Sequence, residues 1–338
     1  MSIELPLLRL GLAGFSAEQQ GQLSTLLQQV SSGSWHLARF ADADAWWVNG
    51  ARVQVLLDKT IRIASGEPGG RSLHLDLPDV DRPIAFSLPL APRNFEPLYT
   101  FDARSESSVS AILERFEAWM RPLIAQFCLA SRILEQESVL GPGIHHVSAD
   151  GALIGVVNMQ GETGVLPTAS PVDFENAMWE HVHSSAGAIP EHFVRSSLAQ
   201  LMWQFAVRTS CDILPTRYRT GLLYFRRPPR LSPRLMNDSH LLLLRELACA
   251  PGDFESLQQR TGLGGPALAR GLAALYFVGA ITADARRAAP ARGRSADSVL
   301  THQQSVLPSG MDPDSAANLP RKLQASADLT APMPLVQR

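Results

Sequence analysis

The sequence predicts a multi-domain chain, α/β in its first hundred residues and α+β in its middle, followed by a three-helix unit and a tail. Three observations predict it. A strand-helix-strand opening gives way to short segments with apolar residues at every second position. A helical stripe then runs unbroken for some thirty residues. After Gly143 the pattern restarts with a hairpin, and after Asp238 it turns helical again. The expected boundaries are 1–100, 101–140 for the long helix, 141–237, 238–285 and 286–338.

In the first module, Leu7–Gly14 reads as a strand. Ser16-Ala-Glu-Gln19 is a capping box, so a helix should run to about Val30. Trp35–Phe40 and Ala45–Val48 are the next strands. Val53–Val55, Ile61–Ile63, Leu73–Leu77 and Ile84–Leu88 alternate with period two, which suggests that the later part of the sheet is antiparallel. In the long helix, Val109, Ile112, Leu113, Phe116, Trp119, Met120, Leu123 and Phe127 recur at helical steps, while Pro122 should kink or split it. The stripe suits packing across a sheet, and equally a connector or a dimer seam.

In the middle module, Ile144–Ser148 and Ala152–Asn158 flank an Asp150-Gly151 turn and make a hairpin. Ser170-Pro171-Val172-Asp173 supplies an N-cap, a proline at the first helical position and an acid at the third, so a helix to about His183 is expected. A second helix is expected over Pro190–Thr209 and a strand over Thr220–Phe225. In the third unit, helices are expected over Ser239–Ala250, Phe254–Arg260 and from Gly265-Pro266 to about Phe277. Ala280–Thr282 then begins a possible wing. Beyond Ala288, Ala, Pro, Ser, Gly and Arg without periodicity read as a disordered tail.

Two stretches carry resemblances. The order short helix, Thr261-Gly262-Leu263, helix, Gly279, β-branched pair resembles the winged-helix or helix-turn-helix class over about 48 residues. The opening 45 residues faintly resemble a receiver domain of response regulators. A receiver implies an acidic pair after its first strand and an Asp at the end of its third. Here Leu12-Ala13-Gly14-Phe15 and Asn49 stand in those places, so a degenerate receiver without phosphorylation chemistry is implied. The whole plan is similar to that of multi-domain effectors in proteobacterial signalling, which is an architectural analogy.

The 338 residues carry a net charge of −2, which excludes a globally basic nucleic-acid binder. Of the 30 basic residues only Lys59 and Lys322 are lysines. Cys128, Cys211 and Cys249 are too few and too widely spaced for a disulfide framework or a metal knuckle. The first fifteen residues lack a basic leader, and no stretch reaches about 18 apolar residues, so a cytoplasmic chain with no membrane contact is expected.

Catalytic signatures fail residue by residue. Lys59-Thr60 lacks the glycine run of a P-loop, and Gly11-x-x-Gly14 is half a dinucleotide fingerprint, better read as a tight turn. Neither a GxSxG elbow nor HExxH is present. His145, His146, His181, His183 and His192 cluster in sequence. A helix over 181–183, however, would turn His181 and His183 apart. No catalytic residue, metal ligand or cofactor is assigned.

Charge is distributed in blocks. Residues 133–194 hold eight acids and no Lys or Arg, whereas 195–234 hold eight Arg and one acid, Asp212. The plain expectation is that the blocks pair. The sharper one concerns Arg226, Arg227, Arg230 and Arg234, four guanidiniums on a proline-stiffened linker suited to an anion or an acidic partner. Their RxxxR spacing superficially resembles the arginine pair of PilZ-type receptors, but the strand motif those receptors need is missing. The third helix of the C-terminal unit offers only Arg270 to a base edge among Ala and Gly, with Arg286 and Arg287 following. The leading expectation is therefore a non-enzymatic cytoplasmic signalling adaptor. It would act on a protein partner through the winged-helix-like unit and the Arg-rich linker. A DNA-binding transcriptional regulator, and an effector binding a cyclic dinucleotide or other nucleotide at Arg226–Arg234, are the alternatives.

Overall fold

Leu8 and Leu10 bury one face of the first strand, β1 (Leu8–Ala13), and Ala13 the other, so the strand is packed on both sides. The computed structural model describes residues 3–31, 34–56, 59–92, 95–183 and 187–289. The expected tail from residue 290 onward lies outside them. Helix α1 (Ala17–Val30) starts at the Ser16–Gln19 capping box. Strands β2 (Trp35–Ala38), β3 (Ala45–Asn49), β7 (Ile84–Ser87) and β8 (Thr100–Phe101) join β1 in one sheet, ordered β2-β1-β3-β7-β8 and parallel throughout. Ala45-Trp-Trp-Val-Asn49 is buried at every position, as a strand covered on both faces must be.

The sheet corrects one expectation. Its later part is not antiparallel. The alternating segments β4 (Val53–Val55), β5 (Thr60–Ile63) and β6 (Leu73–Asp76) form a separate antiparallel meander between β3 and β7. Val53, Ile61 and Ile63 close over Val48 and Phe86, so the meander covers part of the sheet instead of extending it. Period-two patterning reports one buried face and not which sheet a strand joins.

The long helix α2 (Glu106–Glu135) runs through Pro122 as one helix and is not split there. Val109, Ile112, Phe116 and Met120 pack under the parallel sheet, whereas Phe127, Leu129, Ala130 and Ile133 belong to the next core. Two cores hold the two halves, which offsets the one hydrogen bond a proline removes. The stripe is consumed by packing within the chain.

The middle sheet is antiparallel, ordered β12-β9-β10-β11-β13. Its strands are β9 (Ile144–Ala149), β10 (Ala152–Asn158), β11 (Glu162–Val165), β12 (Met178–Val182) and β13 (Val194–Ser197). Two expected helices are shorter than their patterns. Helix α3 (Pro171–Glu175) stops at Asn176, and the segment read as its continuation pairs with β9. Helix α4 (Leu198–Arg208) begins at an N-cap made by Ser197, because Val194–Ser197 pairs with β11. In both places an open sheet edge recruits residues of ambiguous pattern.

The C-terminal unit has α6 (Asp238–Cys249), α7 (Phe254–Thr261) and α8 (Gly265–Phe277), close to the expected limits. A one-turn helix, α5 (Arg217–Thr220), precedes it. Strand β15 (Ile281–Thr282) pairs with β14 (Tyr224–Phe225), which comes from before α6, and Leu223 bridges to Gly252 between α6 and α7. Helix α4 serves two cores: Leu201, Met202 and Phe205 face the antiparallel sheet, while Trp203 and Ala206 face α8.

Candidate functional site

The expected Arg-rich linker is largely tied down. The backbone N–H groups of Arg226 and Arg227 donate to Ala280 O, and Arg227 Nη2 reaches Val278 O at 3.5 Å. Both side chains therefore lie against the C-terminal end of α8, where its free carbonyls favour cations. Leu231, Leu235 and Met236 pack onto the core of the unit. Arg230 is exposed, and the side chain of Arg234 lies outside the described residues. The side chains of Arg226 and Arg227 come together beside Gly279.

The third helix is also engaged. Leu268, Ala269, Gly271, Leu272, Ala273, Ala274 and Leu275 are all buried. Of the small residues expected to form an open face, Ala269, Gly271, Ala273 and Ala274 are covered, whereas Ala267 is exposed. Gly271 lies so close to Leu243 that an added methyl would stand 2.8 Å from its Cδ1. Arg286 and Arg287 are exposed on a short turn, with no ion pair to either among the described residues.

The charge blocks do not pair with one another. Among the described residues, Arg208 pairs with Asp44 and Arg219 with Asp212, Arg195 donates to Ile189 O, and Arg217 lies over Tyr218 and Tyr276. On the acidic side, Glu135 meets Arg132, Asp173 caps α3, and Glu175 accepts the backbone N–H of Ile3. Because residues 181–182 are strand, the helical reason for separating His181 from its neighbours does not hold. His181 packs edge to face on His145, ring centroids 5.2 Å apart. Among the described residues no group of three or more His, Cys, Asp or Glu is placed to hold a metal.

The polar site the sequence did not single out lies where β1, β2, α2, α4, α6 and α8 meet. It is a cleft of about 630 Å³. Arg208, at the end of α4, donates from both Nη atoms to both oxygens of Asp44 at 2.7 Å. Burial pushes the Asp44 carboxyl up, but the hydrogen bond and charge of Arg208, with Arg9 behind it, hold it below the usual carboxylate range. Two further cleft acids also meet arginines: Asp42 with Arg39 at 2.7 Å and Asp81 with Arg82 at 2.9 Å.

Arg9 and Arg270 complete the set of five cleft arginines. The guanidinium of Arg9 reaches one acceptor, Val207 O at 3.3 Å, and Arg270 has none among the described residues. Burial, then the charge of Arg208, disfavours the charged form of Arg9, against opposing pulls from Asp44 and Asp42, with Arg270 a smaller repulsion. Burial and then Arg9 and Arg270 likewise hold the neighbouring His36 below its ordinary value. The sequence did carry a signal for Arg9, an arginine inside a strand of a parallel sheet, where apolar runs are the rule. Nothing local placed Arg208 or Arg270 beside it.

Comparison with protein-family models, with curated proteins and with solved structures finds no match.

Proposed function

We propose that this chain is a non-enzymatic cytoplasmic regulatory adaptor, acting on a protein partner through the outer edge of its C-terminal unit. The observation that carries the reading is the burial of α8 between α4 and α6. A transcription regulator reads bases with the exposed face of such a helix, and here the face is spent on the core. What the unit leaves outward is a basic edge, Arg230, Arg286 and Arg287, all exposed and without ion pairs among the described residues. Such an edge suits an acidic protein surface.

The order of the parallel sheet, with a helix after its first strand, supports a receiver-like origin of the N-terminal part. At the end of β3, Asn49 is buried and engaged. Its Nδ2 donates to Gly14 O at 3.0 Å and its Oδ1 accepts from Ala51 N at 3.1 Å. Three helices followed by a short strand support the winged-helix resemblance. The strand that pairs with β15, however, comes from before α6. The three cysteines are free, and among the described residues no helix is long and apolar enough to cross a membrane.

Cross-linking and capture from an extract of the source organism, with the wild type beside R230E/R286E/R287E, tests the reading. The expected result is one specific protein, captured by the wild type and lost with the triple variant. Fluorescence anisotropy with duplex DNA is the counter-test. Salt-sensitive duplex binding that the triple variant abolishes, with no protein captured, would replace the adaptor by a DNA-binding role.

A further inference from the structure

The cleft between the parallel sheet and the C-terminal unit has an unbalanced charge. Five arginines line it against three aspartates, and each aspartate already holds an arginine: Asp42 with Arg39, Asp44 with Arg208, Asp81 with Arg82. Arg9 and Arg270 are left over. A guanidinium has five N–H donors. Arg9, half-buried, gives one of them to Val207 O, and Arg270 gives none to an acceptor among the described residues. Two such cations lining one partly buried cleft, with Asp44 already held by Arg208, are favoured when an anion joins them.

We propose that this cleft binds a small organic phosphate, with Arg9 and Arg270 forking onto its phosphate oxygens and His36 beside them. Two planar guanidiniums from different elements match the tetrahedral oxygens of a phosphate or diphosphate better than a single carboxylate. The cleft volume of about 630 Å³ suits a ligand of nucleotide size. Trp119, half-exposed, and Met236 line the same cleft and offer an apolar surface to the organic part. Arg9 comes from β1 and Arg270 from α8, so the ligand would tie the parallel sheet to the three-helix unit. This site is separate from the outer edge Arg230, Arg286 and Arg287, and either proposal can fail alone.

The test is calorimetric titration and thermal unfolding of the full chain at fixed ionic strength. The probes are pyrophosphate, a panel of nucleoside diphosphates, citrate and a short DNA duplex. Saturable binding of pyrophosphate, tightened by at least one nucleoside, is expected. R270Q should weaken it by about tenfold or more, the usual cost of a charged hydrogen bond. R270Q removes a like charge from the cleft, so it should unfold at or slightly above the wild-type temperature without ligand. R9Q should weaken binding further, and wild-type circular dichroism would show that it still folds. Failure of every phosphate to bind beyond a chloride control would overturn the proposal. So would unchanged binding in R270Q, tighter binding of citrate than of pyrophosphate, or a duplex that displaces pyrophosphate.

Discussion

His240 should make the fold acid-sensitive from a higher pH than the carboxylates do. It stands at the third position of α6, 7% exposed, with the Trp203 ring tilted against it at 4.6 Å between centroids. Its Nδ1 accepts the Asn237 backbone N–H at 3.3 Å, which completes a capping box. Burial, and then the charge of Arg9, lower its pKa from 6.5 to about 4, against a smaller opposing pull from Asp42. The unfolded chain therefore binds a proton that the folded chain refuses. Stability is full above pH 6.5 and falls as the pH drops toward 4, by about 3 kcal/mol over the whole window and about 2 kcal/mol by pH 4.5. Protonation also turns the Nδ1 acceptor into a donor and breaks the cap.

Urea unfolding followed by tryptophan fluorescence at pH 7 and pH 4.5 measures this, with H240Q as the partner protein. A glutamine keeps an acceptor for the Asn237 N–H and has no proton to gain. The wild type should lose about 2 kcal/mol more than H240Q between the two pH values. Asp44 and Glu4, both held below their ordinary values of 3.8 and 4.5, lose stability mainly at lower pH and act equally in both proteins. Equal losses in wild type and H240Q would refute the reasoning.

Other outcomes follow from single contacts. R208M leaves Asp44 buried without its bidentate partner and should cost about 3–5 kcal/mol, with much of the loss recovered in R208M/D44N, as chemical denaturation would show. G50A would drive a methyl into the backbone carbonyl of Ser87 beside Leu90, so thermal unfolding should report a loss of about 2 kcal/mol. Burial pushes the Cys128 thiol up to about 12, whereas Cys211 and Cys249 are exposed. An aromatic disulfide reagent should therefore titrate two thiols in the native protein and three after denaturation.

Strong local signals were legible in the sequence. The Ser16–Gln19 and Ser170–Asp173 capping boxes, the Asp150-Gly151 turn and the left-handed Gly262 each fix a backbone within a few residues, and each was found in place. Long-range pairing was not legible. Met178–Val182 and Val194–Ser197 are strands because β9 and β11 offer them open edges. The meander and the parallel sheet share one alternation and differ only in what each pairs with. The site divides the same way. The sequence by itself determined that arginine is crowded between Arg195 and Arg234 and where the capped helices α1, α3 and α7 begin. Only the tertiary structure decided which of those charges are free. It set Arg226 and Arg227 on the end of α8, joined Arg208 to Asp44 across 164 positions, and brought Arg9 and Arg270 into one cleft. Local hydrogen bonds fix elements, whereas the pairing of distant charges depends on which surfaces the apolar cores bring together.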